Sequence, residues 1–404
     1  DTTYYYRCFA VSPDLAQSLI EEEEIEQEEE EVEEDSRRTL LRRRLHDRTL
    51  LENKFDATTT PSFTTAPPPG PIFHTKKNKD SIKFAFIGDL GRFDHSMDTV
   101  HKLNKESSTY SAIILAGDIA YTNDYHPRWD DWFGQLSKNS KSFMQHTFLQ
   151  VACGNHDIEQ DKDSKQIYKS YEHRFRMPRI QPPILLTPDD YINVEGDTVS
   201  YPLPYEYGNS YYSFVYGPSH HIVLNSYADI RPSSTQYQWL VDELQHSVDR
   251  SVTPWLIVTA HCPMYNTFRG HHEDEQSIMF RQYIEPLLYQ YRVNIFMTGH
   301  VHAYMRSHPV YQQHINPRGT VYIIAGTGGY KLNSIYMNTT AAESWVAARN
   351  NSTYGYGTLT LINETHAKWK HVQTGYEKDG KDGKVENQIT DFSDRDYIVN
   401  QFYL

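Results

Sequence analysis

Five short apolar runs in this chain each end in a cluster of Gly, Asp, Asn or His, and that repetition limits the fold more than any other feature. The run Phe84–Ile87 leads into G-D-L-G (Gly88–Gly91), and Ala112–Ala116 into G-D-I-A-Y (Gly117–Tyr121). Phe148–Ala152 leads through Cys153 into G-N-H-D (Gly154–Asp157). Trp255–Ala260 leads into A-H-C-P-M-Y (Ala260–Tyr265), and Asn294–Thr298 into G-H-V-H-A-Y (Gly299–Tyr304). Short unbroken apolar runs are strands buried on both faces. Segments with helical spacing lie between them: Ser96–Lys105, Pro127–Phe143, Ser233–His246 and Glu275–Tyr291. Strands alternating with helices predict a layered α/β domain. Further β-like runs at Tyr211–Tyr216, Ile222–Asn225, Val321–Ala325, Gly357–Ile362 and Lys368–Val372 make its sheet system large.

Ligands of open α/β sheets sit just beyond the carboxyl ends of the strands, so the five polar tips are expected to converge on one edge. Glycine ahead of the Asp, Asn or His lets the chain turn sharply, with no Cβ in the way of a metal or phosphate. The residue types suit two cations. Asp89, Asp118 and Asn155 offer hard oxygen, and His261, His300 and His302 offer imidazole nitrogen. Asp118 lies centrally in this set and is the natural bridge. His300 and His302 share a side if the segment is strictly extended, and face two neighbouring ions if it bends there. Two ions ~3.5–4 Å apart are the usual clamp on the attacking and leaving oxygens of phosphoryl transfer. One such motif alone is usually only a turn; five in order, each after an apolar strand, predict a site.

These motifs resemble the purple acid phosphatase branch of the calcineurin-like metallophosphoesterases, over about Ser81 to Thr374. Most of that superfamily carries D-x-H at the first block, where this chain has Gly91. The purple branch instead supplies a tyrosinate three residues after the second Asp, as Tyr121 stands to Asp118. The resemblance implies a four-layer α/β/β/α sandwich and a binuclear centre. In it Asp89, Asp118, Tyr121 and His302 hold Fe(3+), and Asp118, Asn155, His261 and His300 hold a divalent Fe, Zn or Mn. It makes His156, His271 and His272 the outer histidines that contact phosphate and protonate the leaving group. It also likens the opening residues, D-T-T-Y-Y-Y-R-C, to the closing strand of a fibronectin-like β domain that precedes the catalytic domain in large plant and fungal members.

Composition sets the rest of the organisation. Residues 1–20 read as a remnant of that β domain, with residues 1–10, which hold Tyr4, Tyr5, Tyr6 and Phe9, as a short β segment. Residues 21–56 run from twelve carboxylates between Glu21 and Asp35 into an arginine-rich block. Charge of that density has little to bury and predicts disorder or a solvated helix. The Thr/Pro-rich stretch 57–80 reads as a linker, 81–375 as the catalytic domain and 376–404 as a C-terminal tail. The net charge of −14 argues against a nucleic-acid partner. No apolar run reaches the roughly 20 residues of a membrane span. Four glycosylation sequons, at Asn338, Asn350, Asn351 and Asn363, point to the secretory pathway, secreted or vacuolar-lysosomal. Cys153 and Cys262 read as buried small hydrophobes rather than nucleophiles, and Trp129, Trp132 and Trp239 as core.

The expected function is therefore acid hydrolysis of small phosphate monoesters by a metal-bound hydroxide, with a tyrosinate-bound ferric ion. A phosphodiesterase or nucleotide pyrophosphatase on the same scaffold is the first rival, because specificity lives in loops such as Phe268–Glu275 and Asp189–Tyr207. A non-catalytic metal- or phosphate-binding protein is the second. Oligomeric state stays open.

Overall fold

The computed structural model describes residues 3–5, 62–64, 66–71, 73, 82–137, 142–161, 166–178, 194–195, 198–199, 201–338, 342–376 and 395–399. The acidic-to-basic block at 21–56 lies outside them, and so do Cys8 and most of the loop 189–207 up to Tyr201. The chain divides into two compact units, Thr2–Thr65 and Ala66–Leu404. In the first, Thr3–Tyr5 pairs antiparallel with Ser62–Thr64. The β-domain remnant expected over 1–20 is thus described only as one strand of a ribbon, and its partner strand falls in the stretch read as a linker.

The second unit is built on two sheets whose parallel centres end in the five polar tips. In the first sheet β1 (Lys83–Ile87), β2 (Ala112–Ala116) and β3 (Phe148–Ala152) run parallel. In the second, β4 (Ser219–Val223), β5 (Trp255–Thr259), β6 (Ile295–Thr298) and β8 (Thr320–Ala325) run parallel, and β7 (Tyr304–Tyr311) lies antiparallel to β8. The first sheet continues through β9 (Thr353–Leu361), antiparallel to β1, and β10 (His366–Tyr376). Its last strand, Arg395–Val399, pairs with β10. Part of the segment read as a C-terminal tail, Arg395–Val399, is thus a strand of this sheet. Likewise Phe73, in the expected linker, is buried against the second unit's core.

The period-two geometry of these strands assigns the layers. Phe84, Phe86 and Ile114 of the first sheet meet Trp255, Ile257, Ile295 and Met297 of the second in one apolar layer between the sheets. Their neighbours Ala85, Ile87, Leu256 and Val258 face outward. There they meet helical side chains: Val100 and Leu103 of α1 (Asp94–Glu106), and Trp129, Trp132 and Leu136 of α2 (Pro127–Ser137). Leu240 and Phe280 cover the second sheet in the same way. The result is the expected α/β/β/α sandwich. Each fully buried side chain of this size contributes about 1.5–3 kcal/mol, so the layer between the sheets fixes their relative position strongly. Trp239 is only half-buried at the edge of this packing.

The carboxyl ends of the two sheets are also tied directly, Gly88 N–H donating to Ala325 C=O at 2.9 Å and His300 N–H to Asp89 Oδ2 at 2.8 Å. Within each sheet the tips are joined too, Asp89 N–H to Gly117 C=O at 3.2 Å and Gly299 N–H to His261 C=O at 3.0 Å. No helix among the described residues is long and apolar enough to cross a membrane.

Candidate metal centre

Where β1 meets β6 the backbones touch so closely that only glycine fits. A Cβ on Gly88 would lie 2.5 Å from the Cα of Gly299, and one on Gly299 would lie 2.5 Å from Asp89 Oδ2. Asp89 (φ 57°) and His300 (φ 67°), which follow these glycines, and Asp118 (φ 51°) and Tyr121 (φ 51°) in the turn after β2 take left-handed backbone conformations, uncommon for residues with a side chain. Strain of this kind needs outside support. Here Asp157 supplies much of it. Its buried carboxylate accepts from Ile119 N–H at 2.9 and 3.0 Å, Ala120 N–H at 3.2 Å and Gly154 N–H at 3.3 Å. One side chain thus holds the turn after β2 against the turn after β3.

All seven expected ligands come together at this edge. Asp89, Asp118 and His302 form one group of potential metal-holding atoms, and Asp118, His261 and His300 a second; Asp118 belongs to both. Tyr121 joins the first group. Its hydroxyl donates to Asp89 Oδ1 at 3.1 Å and lies 3.0 Å from His302 Nε2. Asn155 joins the second, with Oδ1 3.2 Å from His261 Nε2. His261 Nδ1 lies 2.6 Å from the Ala116 carbonyl, which fixes that nitrogen as the N–H and turns Nε2 toward the site.

Asp118 and Tyr121 carry the electrostatic signature of the centre. Burial alone would raise the Asp118 carboxyl, but His261, His156 and His300 reverse this and hold it well below the usual range. Burial works against charge on His261 too, yet Asp118 lifts it to about 9. Tyr121 is pushed far above the ordinary phenol by burial and by Asp89 and Asp118, so a nearby cation is what would permit a phenolate. The ring is clamped, stacked on Tyr330 at 4.3 Å and on His156 at 4.7 Å.

The outer histidines divide. His156 stands beside Asp118, its backbone N–H donating to Asp118 Oδ1 at 2.9 Å and its imidazole Nδ1 2.7 Å from Asn123 Oδ1. His271 lines the cavity over the centre, whereas His272, expected beside it, does not. The turn at His271 (φ 58°) sends the two neighbours in different directions. Three partners were missed from sequence. Asp274 Oδ2 lies 2.9 Å from both His271 Nδ1 and His300 Nε2, which makes a third group of His271, Asp274 and His300. Asn123 holds His156, and the Tyr227 hydroxyl donates to Asn155 Oδ1 at 2.9 Å. The only local signals were the i, i+3 spacing of His271 and Asp274 and the nearness of Asn123 to Tyr121.

Cys153 and Cys262 are buried free thiols, both pushed up by desolvation, in keeping with a packing role. Of the sequons, Asn338 and Asn363 are exposed and Asn351 is half-buried. Asn350 is buried, and its Oδ1 accepts from the Ser352 and Thr353 N–H groups and from Thr353 Oγ1. That burial counts against Asn350 as a glycan acceptor.

Comparison with known proteins agrees with this geometry. Residues 82–304 match the family described as calcineurin-like phosphoesterase, and residues 319–387 match iron/zinc purple acid phosphatase-like protein C. Among curated relatives, probable purple acid phosphatase 20 of Arabidopsis thaliana is 35% identical over 300 residues, covering 74% of this chain and 63% of its own. Purple acid phosphatase 21 of the same plant is 32% identical, over 74% of this chain and 61% of its own. The chain therefore spans about three-fifths of the length of these relatives. The purple acid phosphatase PPD1 of yellow lupin (Lupinus luteus) seeds superposes with a TM-score of 0.59 at 20% identity, over 81% of this chain and 55% of its own, a likeness of fold.

Proposed function

The chain belongs to the calcineurin-like phosphoesterases, in their purple acid phosphatase branch, and from that premise we propose that it hydrolyses small phosphate monoesters at a two-metal centre. The observation that carries the reading is Asp118. Its carboxylate is shared by both ligand groups, and its Oδ2 is buried without a hydrogen-bond partner. That oxygen lies near imidazole nitrogens, His261 Nε2 at 3.4 Å and His156 Nε2 at 4.0 Å; a buried, ionised oxygen short of hydrogen bonds is costly, and cations held by the two groups would remove that cost.

The residues fit the metals of this family. Asp89, Asp118, Tyr121 and His302 would hold ferric iron, since two carboxylates and a phenolate are hard anionic donors. Asp118, Asn155, His261 and His300 would hold the divalent ion, with one anionic ligand and three neutral ones. When bound, the pair supplies Lewis acidity and neutralises charge on the phosphoryl oxygens.

The remaining residues orient and move protons. In the overall reaction a water oxygen bonds to phosphorus, the bond from phosphorus to the ester oxygen breaks, and that oxygen takes a proton. His156 has Nδ1 fixed by Asn123 and Nε2 4.0 Å from Asp118 Oδ2, which suits contact with a phosphoryl oxygen. His271 has Nδ1 committed to Asp274, which leaves Nε2 for the departing oxygen at the cavity mouth. Exposed sequons at Asn338 and Asn363 support a secretory location.

The test is turnover of a simple aryl phosphate monoester and its diester by the full metal-loaded chain, with metal analysis. Preference for the monoester, with two metals per chain, supports the reading. A strong diester preference refutes the monoesterase assignment, and turnover by metal-free chain refutes the two-metal one.

A further inference from the structure

The cavity over the metal residues measures about 610 Å³. Sites that enclose whole ligands run to about 300–1,000 Å³, so this one admits much more than a phosphoryl group. Part of its polar lining is already spent. Asp118, Asn155, His300 and His302 belong to the metal set, and Asp274 is committed to His271 and His300.

Arg269 is not spent. It is the single Lys or Arg among the described residues that line the cavity. Its backbone is pinned: the N–H donates to the Ile335 carbonyl at 2.8 Å. The turn around it is closed by Asn266, whose Nδ2 donates to Gly270 C=O and whose Oδ1 accepts from Phe268 N–H, both at 2.7 Å. Phe268 stacks on Tyr336 at 5.3 Å from the facing loop. The guanidinium itself stands exposed, with no hydrogen bond or ion pair to any described residue. Other arginines on this side of the fold are committed. Arg128 donates to the Tyr121 and Thr122 carbonyls, Arg231 to Asp229, Arg281 to the Met264 carbonyl and Arg349 to the Asn338 carbonyl. A cation held on a pinned loop at the mouth of an oversized phosphate site, with no ion pair to a described residue, is placed for a charge that the substrate brings.

We propose that Arg269 sets the substrate class: phosphate monoesters whose alcohol carries a second phosphate group. The inference rests on the phosphomonoesterase reading above. While one phosphoryl group occupies the metal residues, the planar guanidinium fork takes the second bidentately. A phosphate suits this fork better than a carboxylate, because it offers more acceptor oxygens to the guanidinium donors and carries up to two charges to the carboxylate's one, while the lining carboxylate Asp274 is already committed to His271 and His300.

The experiment measures kcat and KM of the full, metal-loaded chain on alkanediol monophosphates, the matching bisphosphates and the matching ω-carboxylated phosphates, three to six carbons long. Arg269→Gln and Arg269→Lys are run beside the wild type, with circular dichroism as the check on folding. For at least one chain length the wild-type KM for the bisphosphate should be about tenfold below that for the monophosphate, the size of one charge-assisted contact. Arg269→Gln should collapse that ratio toward one, and Arg269→Lys should retain part of it. The proposal is overturned by equal wild-type KM values, by a ratio that survives Arg269→Gln, or by carboxylated esters matching the bisphosphates. Monophosphate turnover by the wild type checks the underlying reading separately. Its absence overturns both, whereas turnover without bisphosphate preference overturns this inference alone.

Discussion

Asp157 is the most direct handle on why the two ligand turns hold together. It is fully buried, and its carboxylate serves three backbone N–H donors, those of Ile119, Ala120 and Gly154. In Asp157→Ala all three lose their acceptor inside the protein. A buried donor left unsatisfied costs about 1–3 kcal/mol, and water entering the new space recovers part of it, so the expected loss is about 3–6 kcal/mol. Asp157→Asn keeps the shape and one acceptor oxygen, and it removes the repulsion between Asp157 and Asp118 that, after burial itself, raises the Asp157 carboxyl to about 7. Its loss should be smaller, about 1–3 kcal/mol.

The assay is urea unfolding of the metal-loaded chain followed by near-ultraviolet circular dichroism, with metal analysis after desalting. The turns that Asp157 joins carry Asp118 and Asn155, so stability and metal content should fall together, in the order alanine, then asparagine, then wild type. An Asp157→Ala protein that unfolds at the wild-type midpoint with both metals retained would sink the argument. So would an alanine variant more stable than the asparagine variant, because shape rather than hydrogen bonding would then be the controlling factor.

Tyr121→Phe should abolish any visible absorption band of the iron-loaded chain while leaving the fold intact by circular dichroism; a band that persists removes the tyrosinate assignment. His271→Ala should lower kcat by about a hundredfold, the usual scale of a general acid, and His272→Ala should leave it within a few fold; equal losses would restore His272 to the site. Gly88→Ala brings a Cβ to 2.5 Å from the Gly299 backbone and should destabilise by about 1–3 kcal/mol, read by thermal unfolding. His221 gives a pH test away from the metals. It is stacked on Phe214 at 4.6 Å, and burial lowers its pKa to about 3. The unfolded chain therefore binds a proton at this residue below about 6.5 that the folded chain refuses until about 3, and stability is lost as pH falls through that window. His221→Phe should remove up to about 2 kcal/mol of the difference in unfolding free energy between pH 7 and pH 5; an unchanged pH slope refutes the assignment.

The fold was legible because the informative strands are buried on both faces. Ala112–Ala116 and Trp255–Thr259 have no polar alternative to a central strand, and their boundaries were read almost to the residue. The misreadings lie at the margins, where tertiary contacts outweigh local composition. Phe73 sits in a Thr/Pro-rich stretch with no strand signal, yet the layer between the sheets buries it. Arg395–Val399 follows a polar stretch and mixes charge with apolar residues, and only pairing with His366–Tyr376 makes it part of the sheet. An edge strand of this kind carries no sequence pattern that separates it from a loop.

The site divides along the same physical line. The proposed metal ligands stand at or near strand tips, where the fold gives them a common context of apolar run and turn, so seven could be named together. The residues that position them answer to no such rule. Asp274 reaches His300 across 26 residues of sequence, Tyr227 reaches Asn155 across 72, and nothing in the neighbourhood of either marks the contact. His271 and His272 show the limit most sharply. They are adjacent and chemically identical, and only the left-handed turn at His271 decides which one faces the cavity. Motif spacing therefore picks out the residues proposed to hold metals, whereas the groups proposed to aim them and to choose the substrate are set by loop conformation, which a single sequence carries only implicitly.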